Sequence, residues 1–148
     1  MVSAEIDRLA RVVIDTGLHI HNDLGPGLFE TVYESILVGK LRGAGLRVET
    51  QKLIGIEYQG TYIPNAFRID LLVDDCLIVE LKSVEQVAPV HAKQLLTYLR
   101  LMNLPVGLLI NFGGETYKQG VRRLANRHAD LATWRLGAGQ NEVGKDMR

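Results

Sequence analysis

The residues best suited to chemistry are Asp70, Glu80 and Lys82, which lie in the largely apolar stretch 67–82. Glu80 and Lys82 are two positions apart, so on a β-strand both side chains leave the same face. The stretch predicts two strands joined by a tight turn at Asp74-Asp75, which would bring Asp70 roughly level with Glu80. Two carboxylates and one ammonium would then converge on one patch of a mostly buried sheet.

Charged groups are rarely placed in such a patch unless they are paired or bind a metal. One interpretation is a structural ion pair of Lys82 with Glu80 or Asp70. The other is a metal site, because carboxylate oxygens suit Mg²⁺ or Mn²⁺ rather than zinc. The spacing of the histidines and the cysteine matches no recognised zinc motif: His19, His21, His91 and Cys76.

Two predicted helices carry further polar residues. In the helix predicted for residues 28–43, Glu30, Tyr33 and Glu34 fall at i, i+3 and i+4, on one face. Carboxylates in the first turn also suit the helix dipole, so a solvated surface is an open alternative. The helix predicted for about 89–102 has Pro89 in its first turn and a polar stripe that is equally typical of a surface: His91, Gln94 and Tyr98.

The motifs together resemble the PD-(D/E)xK nuclease superfamily. Asp70 followed by Glu80-Leu81-Lys82 is similar to its D…(D/E)xK signature, although Ile69 rather than proline precedes Asp70. Gly27-Leu28-Phe29-Glu30-Thr31-Val32-Tyr33 resembles the GxxExxY motif that names one family within it, and Gln94-x-x-x-Tyr98 resembles the QxxxY motif of RecB-like nucleases. The resemblance runs from about residue 10 to about 126 and also uses three flanking stretches: 21–27, 89–99 and 106–112.

This resemblance implies a divalent-metal-dependent nuclease that hydrolyses nucleic-acid phosphodiester bonds, with DNA as the expected substrate. Asp70, Glu80 and the Leu81 backbone carbonyl would bind Mg²⁺ or Mn²⁺, and Glu30 would add a ligand directly or through water. Lys82 would lie beside the attacking water. Gln94 and Tyr98 would support the metal site and position the substrate backbone. Further residues are expected to support the site or bind flanking phosphates: Tyr33, which could orient Glu30 or simply pack, His91, Lys118, Arg122 and Arg123.

Net charge and the distribution of charged residues bear on how the protein could bind nucleic acid. The 148 residues carry 17 basic and 17 acidic side chains, and this zero net charge argues against a protein that coats nucleic acid nonspecifically. Residues 1–90 hold 8 basic and 13 acidic residues, whereas residues 91–148 hold 9 and 4. The basic excess predicts either a phosphate-binding face or solvated helices.

The cysteine content and the lack of targeting patterns predict a cytoplasmic protein. The single cysteine, Cys76, can form no internal disulfide, which suits a reducing environment, and we interpret it as a buried strand residue. No apolar run approaches the roughly 20 residues of a membrane span, and the N-terminus lacks the pattern of a signal peptide. We therefore expect no membrane partner.

Hydrophobic periodicity and turn residues predict the helices and strands that carry these side chains. We predict a helix over 4–22 before the helix at 28–43, then strands at 46–50 and 53–58 and a turn at Gln59-Gly60. Pro64-Asn65 should interrupt the return strand. The apolar run 106–112 predicts a strand buried on both faces and parallel to a catalytic strand, with helix 89–102 as the crossover. Residues about 117–127 should form a short basic helix or turn.

This order predicts an α/β fold with a mixed central sheet flanked by helices. It resembles the restriction-endonuclease-like αβββαβ core with an extra N-terminal helix. We expect one domain over residues 1–136 and a flexible polar tail over 137–148.

Two other functions are compatible with the sequence. The same fold serves as a nucleic-acid-binding or protein-interaction module when cleavage is lost or depends on a partner. A hydrolase of some other phosphate ester is the third class, although no small-ligand motif is legible. A homodimer would help a small nuclease cut both strands, and the sequence leaves this open.

Overall fold

Residues 3–127, which a computed structural model describes, form three α-helices and one five-stranded mixed sheet. The tail predicted for 137–148 lies outside this range, as does the predicted domain beyond residue 127. In chain order the elements are α1 (Ala4–Leu24), α2 (Glu30–Gly43), β1 (Val48–Tyr58), β2 (Thr61–Val73), β3 (Leu77–Lys82), α3 (Pro89–Met102), β4 (Val106–Asn111), a 3₁₀ turn (Lys118–Gly120) and β5 (Val121–Ala125).

The sheet has the strand order β1-β2-β3-β4-β5. The first three strands form an antiparallel meander, β4 lies parallel to β3, and β5 returns antiparallel to β4. Helix α3 makes the crossover that a parallel pair requires. The predicted mixed sheet, with helices on both faces and an additional N-terminal helix, is confirmed.

Two hydrophobic cores cover the two faces of the sheet. Val79 and Leu81 of β3 pack with residues of α1 and α2, whereas Ile78 packs with Leu95 and Leu99 of α3. The alternation along β3 therefore places Glu80 and Lys82 opposite the α1–α2 core, as the two-residue period predicts. Strand β4 is buried along its whole length, which explains its unbroken apolar sequence.

Local signals set the helix ends. The Ser3 hydroxyl accepts the Ile6 N–H at 3.3 Å and caps α1, and Gly25 ends the helix with a φ of 71°. Pro89 occupies the first turn of α3, and Asn103 ends that helix in the left-handed region with a φ of 52°. No helix within residues 3–127 is long and apolar enough to cross a membrane.

Two predictions about the β-meander are wrong. Residues 46–50 and 53–58 are not separate strands, because β1 runs on through Gln51, which adopts a φ of 49°. Pro64-Asn65 does not interrupt β2. The pairing register shifts between Ile54 and Ile56, and this bulge accommodates a proline that has no N–H to offer the ladder.

The prediction for residues 117–127 is also wrong in part. A 3₁₀ turn at 118–120 is followed by β5, which pairs with β4 from Val106↔Ala125 to Ile110↔Val121. The competing constraint is tertiary, since β4 would otherwise leave one edge of backbone N–H and C=O groups unpaired. Five residues are too few for periodicity to separate strand from helix.

Two helical glycines should respond in opposite ways to the same substitution. Gly17 of α1 faces the Tyr117 hydroxyl so closely that a Cβ would clash, and Tyr117 is buried with its hydroxyl donating to the Ile14 carbonyl at 2.8 Å. Because Tyr117 is buried and its hydroxyl is held by the Ile14 carbonyl, we expect Gly17→Ala to lower the free energy of unfolding by about 1–3 kcal/mol. Chemical denaturation monitored by circular dichroism measures this.

Gly39 of α2 provides the matched control. It is exposed, and a Cβ there would meet nothing within 4 Å. Gly39→Ala should therefore raise the free energy of unfolding by about 0.5–1 kcal/mol through helix propensity alone. A stabilising Gly17→Ala would contradict the assigned contact between α1 and Tyr117.

Candidate active site

The candidate site begins where the backbone ladder between β2 and β3 ends. The regular pairing stops at Leu71↔Val79. One position further, the Asp70 N–H donates to Glu80 Oε1 at 3.2 Å, and the Leu81 N–H donates to Asp70 Oδ2 at 2.9 Å. Side-chain carboxylates thus replace backbone partners, and this fixes the orientation of both acids.

Five of the predicted site residues meet in one open cleft of about 470 Å³. Asp70 comes from β2, Glu80 and Lys82 come from β3, and Gln94 and Tyr98 come from α3. The three charges therefore share a patch with the polar stripe of the crossover helix. The residues lining the cleft are Leu53, Asn65, Phe67, Arg68, Asp70, Glu80, Lys82, Gln94 and Tyr98.

Glu80 is electrostatically the most perturbed acid of the cleft. Burial, followed by the charge of Asp70 and a side-chain hydrogen bond to it, raises the pKa of Glu80 to about 9. The Asp70 N–H and the Lys82 ammonium oppose this increase without cancelling it. Because this pKa lies above neutral pH, Glu80 retains its proton there, as expected for a buried carboxyl group beside a second acid.

Tyr98 and Gln94 form the α3 wall of the cleft. The Tyr98 ring stacks on Phe67 with a centroid separation of 4.2 Å and an interplanar angle of 8°. Burial, then the charges of Glu80 and Asp70, raise the pKa of Tyr98, and a hydrogen bond to Gln94 opposes the increase. The phenol is thus a protonated donor held in place by aromatic stacking.

The chain after Lys82 is fixed by β4 and by the loop before α2. The Lys82 carbonyl accepts the Phe112 N–H at 2.8 Å. The buried Asn111 side chain accepts the Val84 N–H at 3.0 Å and donates to the Val84 carbonyl at 2.8 Å. The next hydroxyl, on Ser83, donates to the Leu28 carbonyl at 2.5 Å. These contacts explain how a charged residue at a strand end keeps a defined position.

Tyr33 packs in the core, the simpler of its two predicted roles. It is fully buried and stacks on Phe112 with centroids 4.5 Å apart. Its hydroxyl donates to the Gly25 carbonyl at 2.5 Å and accepts the Leu28 N–H at 3.3 Å. The tyrosine thus ties the loop between α1 and α2 to the core.

Several predicted site residues lie outside the cleft. Glu30 lines a second cleft with Ser83 and Gly113, and His91 of α3 lines neither. Among the basic residues, Arg122 lines a third cleft with glutamates, Arg123 pairs with Asp7 of α1, and Lys118 is exposed on the 3₁₀ turn. Functional roles for these residues remain predictions.

Sequence reasoning missed two polar residues near the carboxylates, Arg68 and Gln51. Arg68 lines the cleft and precedes Asp70 by two positions, a spacing that already suggested a shared face. Gln51 donates to Asp70 Oδ1 at 3.4 Å and to both oxygens of Glu34 at 3.0 and 3.2 Å. The only signal for Gln51 was the interruption of the alternating pattern in β1.

The donor chemistry of the cleft fits a hard divalent ion. Asp70 of β2 and Glu80 of β3 offer carboxylate oxygens at the point where the two strands stop pairing. The resemblance to the nuclease superfamily implies that the Leu81 carbonyl is a further ligand. In residues 3–127 no group of three or more His, Cys, Asp or Glu side chains could hold a metal ion. The two carboxylates of the cleft suit Mg²⁺, which binds through one or two carboxylates together with water and substrate phosphate.

Comparison with known proteins supports the same assignment. A family described as the PD-(D/E)XK nuclease superfamily matches residues 7–124, from within α1 into β5. No curated protein and no solved structure gave a significant match. The finer GxxExxY assignment remains a prediction. Because the family match spans most of the chain and includes Asp70, Glu80 and Lys82, the protein belongs to the PD-(D/E)XK nuclease superfamily.

Proposed function

We propose that this protein is a divalent-metal-dependent nuclease that hydrolyses phosphodiester bonds, with DNA as its substrate. The observation that carries the proposal is the convergence of Asp70, Glu80 and Lys82 in one open cleft. Superfamily membership implies a nucleic-acid substrate. The cleft is open to solvent on one side, as a polymer backbone requires.

Asp70 and Glu80 would hold Mg²⁺ or Mn²⁺ together with the Leu81 carbonyl. When bound there, a hard divalent ion supplies Lewis-acid polarisation of the phosphate and activation of the nucleophile. The protein keeps both carboxylates oriented through the Asp70 and Leu81 N–H groups, so little reorganisation is needed. Glu80 must lose its proton to become a ligand, which couples cation binding to proton release.

The remaining residues act on the substrate. The Lys82 ammonium would lie beside the attacking water, where it favours hydroxide and stabilises the charge that develops in the transition state. Gln94 and the protonated Tyr98 would donate hydrogen bonds to the backbone next to the scissile bond. Arg68 would attract the same strand electrostatically. Contacts of Lys118, Arg122 and Arg123 with more distant phosphates remain part of the proposal.

The first prediction concerns cleavage itself. We expect wild-type protein to cleave DNA only when Mg²⁺ or Mn²⁺ is present, and Asp70→Ala and Lys82→Ala each to lower the rate at least about a hundredfold. The measurement is cleavage of a panel of plasmid, linear duplex, single-stranded and branched DNA and structured RNA. Metal binding by calorimetry is measured in parallel.

The outcomes of this experiment separate the candidate functions. Cleavage that survives both substitutions would show that the site is assigned wrongly or that the activity is a contaminant. Preferential cleavage of the RNA would overturn the choice of DNA. Absence of both cleavage and metal binding would instead favour a nucleic-acid-binding module.

The second prediction concerns the proton on Glu80. Its pKa rises from 4.5 to about 9 on folding, so between these values the folded state binds more protons than the unfolded state and stability falls as pH increases. Glu80→Gln mimics the protonated acid. It should raise the melting temperature of metal-free protein by at least about 2–4 °C near pH 8.

The dependence on pH distinguishes this effect from a general packing gain. The advantage of Glu80→Gln should vanish near about pH 4, where the acid is protonated in both states. Glu57→Gln, at an exposed position on β1, should show no such pH-dependent gain. A gain that is equal at both pH values would contradict the shifted pKa.

The third prediction concerns Arg68. We expect Arg68→Ala to raise KM for DNA about tenfold with a small change in kcat, because one phosphate contact is lost. The slope of log affinity against log salt concentration should fall by about one unit. Binding and cleavage at several salt concentrations measure both quantities. Lys40→Ala, an exposed residue of α2, is the control, and an equal effect of both substitutions would contradict a specific role for Arg68.

A further inference from the structure

Gln51 has an unusual backbone conformation for a strand residue. Its φ of 49° lies in the left-handed region, which costs a residue other than glycine roughly 1–2 kcal/mol. The ladder continues on both sides in the same register, from Thr50↔Leu71 to Lys52↔Ile69. Chain reversal does not explain the strain, because β1 simply passes through this position.

The side chain of Gln51 joins two acids from different elements. Its Nε2 donates to Glu34 Oε1 and Oε2 at 3.0 and 3.2 Å, and lies 3.4 Å from Asp70 Oδ1. Glu34 belongs to α2 and Asp70 to β2, so the amide connects the helix to the point where β2 and β3 stop pairing. The amide nitrogen, rather than the oxygen, faces the two carboxylates because only an N–H group can donate to both.

The chemical type of this bridge matters for a cation site. A lysine or arginine here would bind the same two carboxylates but would also neutralise them and compete with a metal ion. A glutamine amide is uncharged, so it orients both acids and leaves their negative charge available. Asp70 is then held through both oxygens, by the Leu81 N–H on Oδ2 and by Gln51 on Oδ1.

We propose that Gln51 is a positioning residue of the cation site, which orients Asp70 and is itself held in place by Glu34 of α2. The inference rests on the proposed metal-dependent activity and adds two residues to it. The strained backbone conformation aims the amide between the two carboxylates. Glu30, the α2 acid that the sequence motif favoured, lines another cleft with Ser83 and Gly113. Glu34 and Gln51 also line a cleft of their own, but the amide hydrogen bonds connect them to Asp70.

The test separates the side chain of Gln51 from its backbone strain. Gln51→Gly removes the amide and relieves the left-handed conformation, so we expect the melting temperature to stay equal or to rise. The Kd for Mn²⁺, measured by calorimetry, should increase about tenfold or more, as is typical when a residue that orients a metal ligand is removed. Cleavage should weaken in parallel.

A matched control and a double substitution sharpen the result. Gln59→Gly changes the same residue type at nearly the same φ, 48°, in the hairpin turn between β1 and β2. It should stabilise the fold in the same way and leave the Kd for Mn²⁺ unchanged. Glu34→Gln should weaken Mn²⁺ binding, and its effect should be less than additive with Gln51→Gly, because the two residues act as one unit.

Each remaining outcome has a defined meaning. If Gln51→Gly binds Mn²⁺ and cleaves as the wild type does, the inference is overturned and the nuclease proposal stands. If the two substitutions are fully additive, Gln51 does not act through Glu34 and the inference is overturned in that part. If the wild type neither binds Mn²⁺ nor cleaves DNA, the proposed function fails and takes this inference with it.

Discussion

The geometry of the candidate site follows from the fork between β2 and β3, where the regular pairing of the two strands ends. Beyond Leu71↔Val79 the strands no longer pair through their backbones, and the carboxylates of Asp70 and Glu80 accept the N–H groups that the ladder leaves free. These carboxylate hydrogen bonds satisfy backbone N–H donors and at the same time fix two acids at the end of the β2–β3 ladder. It produces a site whose geometry is set by backbone hydrogen bonds rather than by long side chains.

Bringing two carboxyl groups this close lowers the stability of the folded state, and the packing of the surrounding elements compensates for that loss. The raised pKa of Glu80 indicates that this carboxyl group stays protonated at neutral pH, which limits the repulsion between the two acids. The apolar residues of β3 and β4 are anchored by α1 and α2 on one face and by α3 on the other. Asn111 then fixes the chain immediately after Lys82. The destabilisation caused by the two adjacent acids is thus confined to one end of a well-packed sheet.

The helix α2 illustrates how one sequence motif serves packing and chemistry together. Tyr33 is buried against Phe112 and binds the loop at Gly25, which is a structural role. The acids of the same helix diverge, because Glu30 lines a separate cleft and Glu34 reaches Asp70 through Gln51. A face defined by helical spacing alone is broad enough to include all three residues, whereas the packed helix distributes them among different surroundings.

Local sequence patterns predicted the three helices, the mixed sheet and the central group of Asp70, Glu80 and Lys82, because the two-residue strand period and the acidic turn depend only on neighbouring residues. The period of α3 likewise placed Gln94 and Tyr98 together. Tertiary packing was needed to show that Gln51 and Arg68 flank the carboxylates, that Arg123 pairs with Asp7, and that residues 121–125 form a strand. Those outcomes depend on the relative placement of elements distant in sequence, and on the unpaired edge of β4, which no local pattern records.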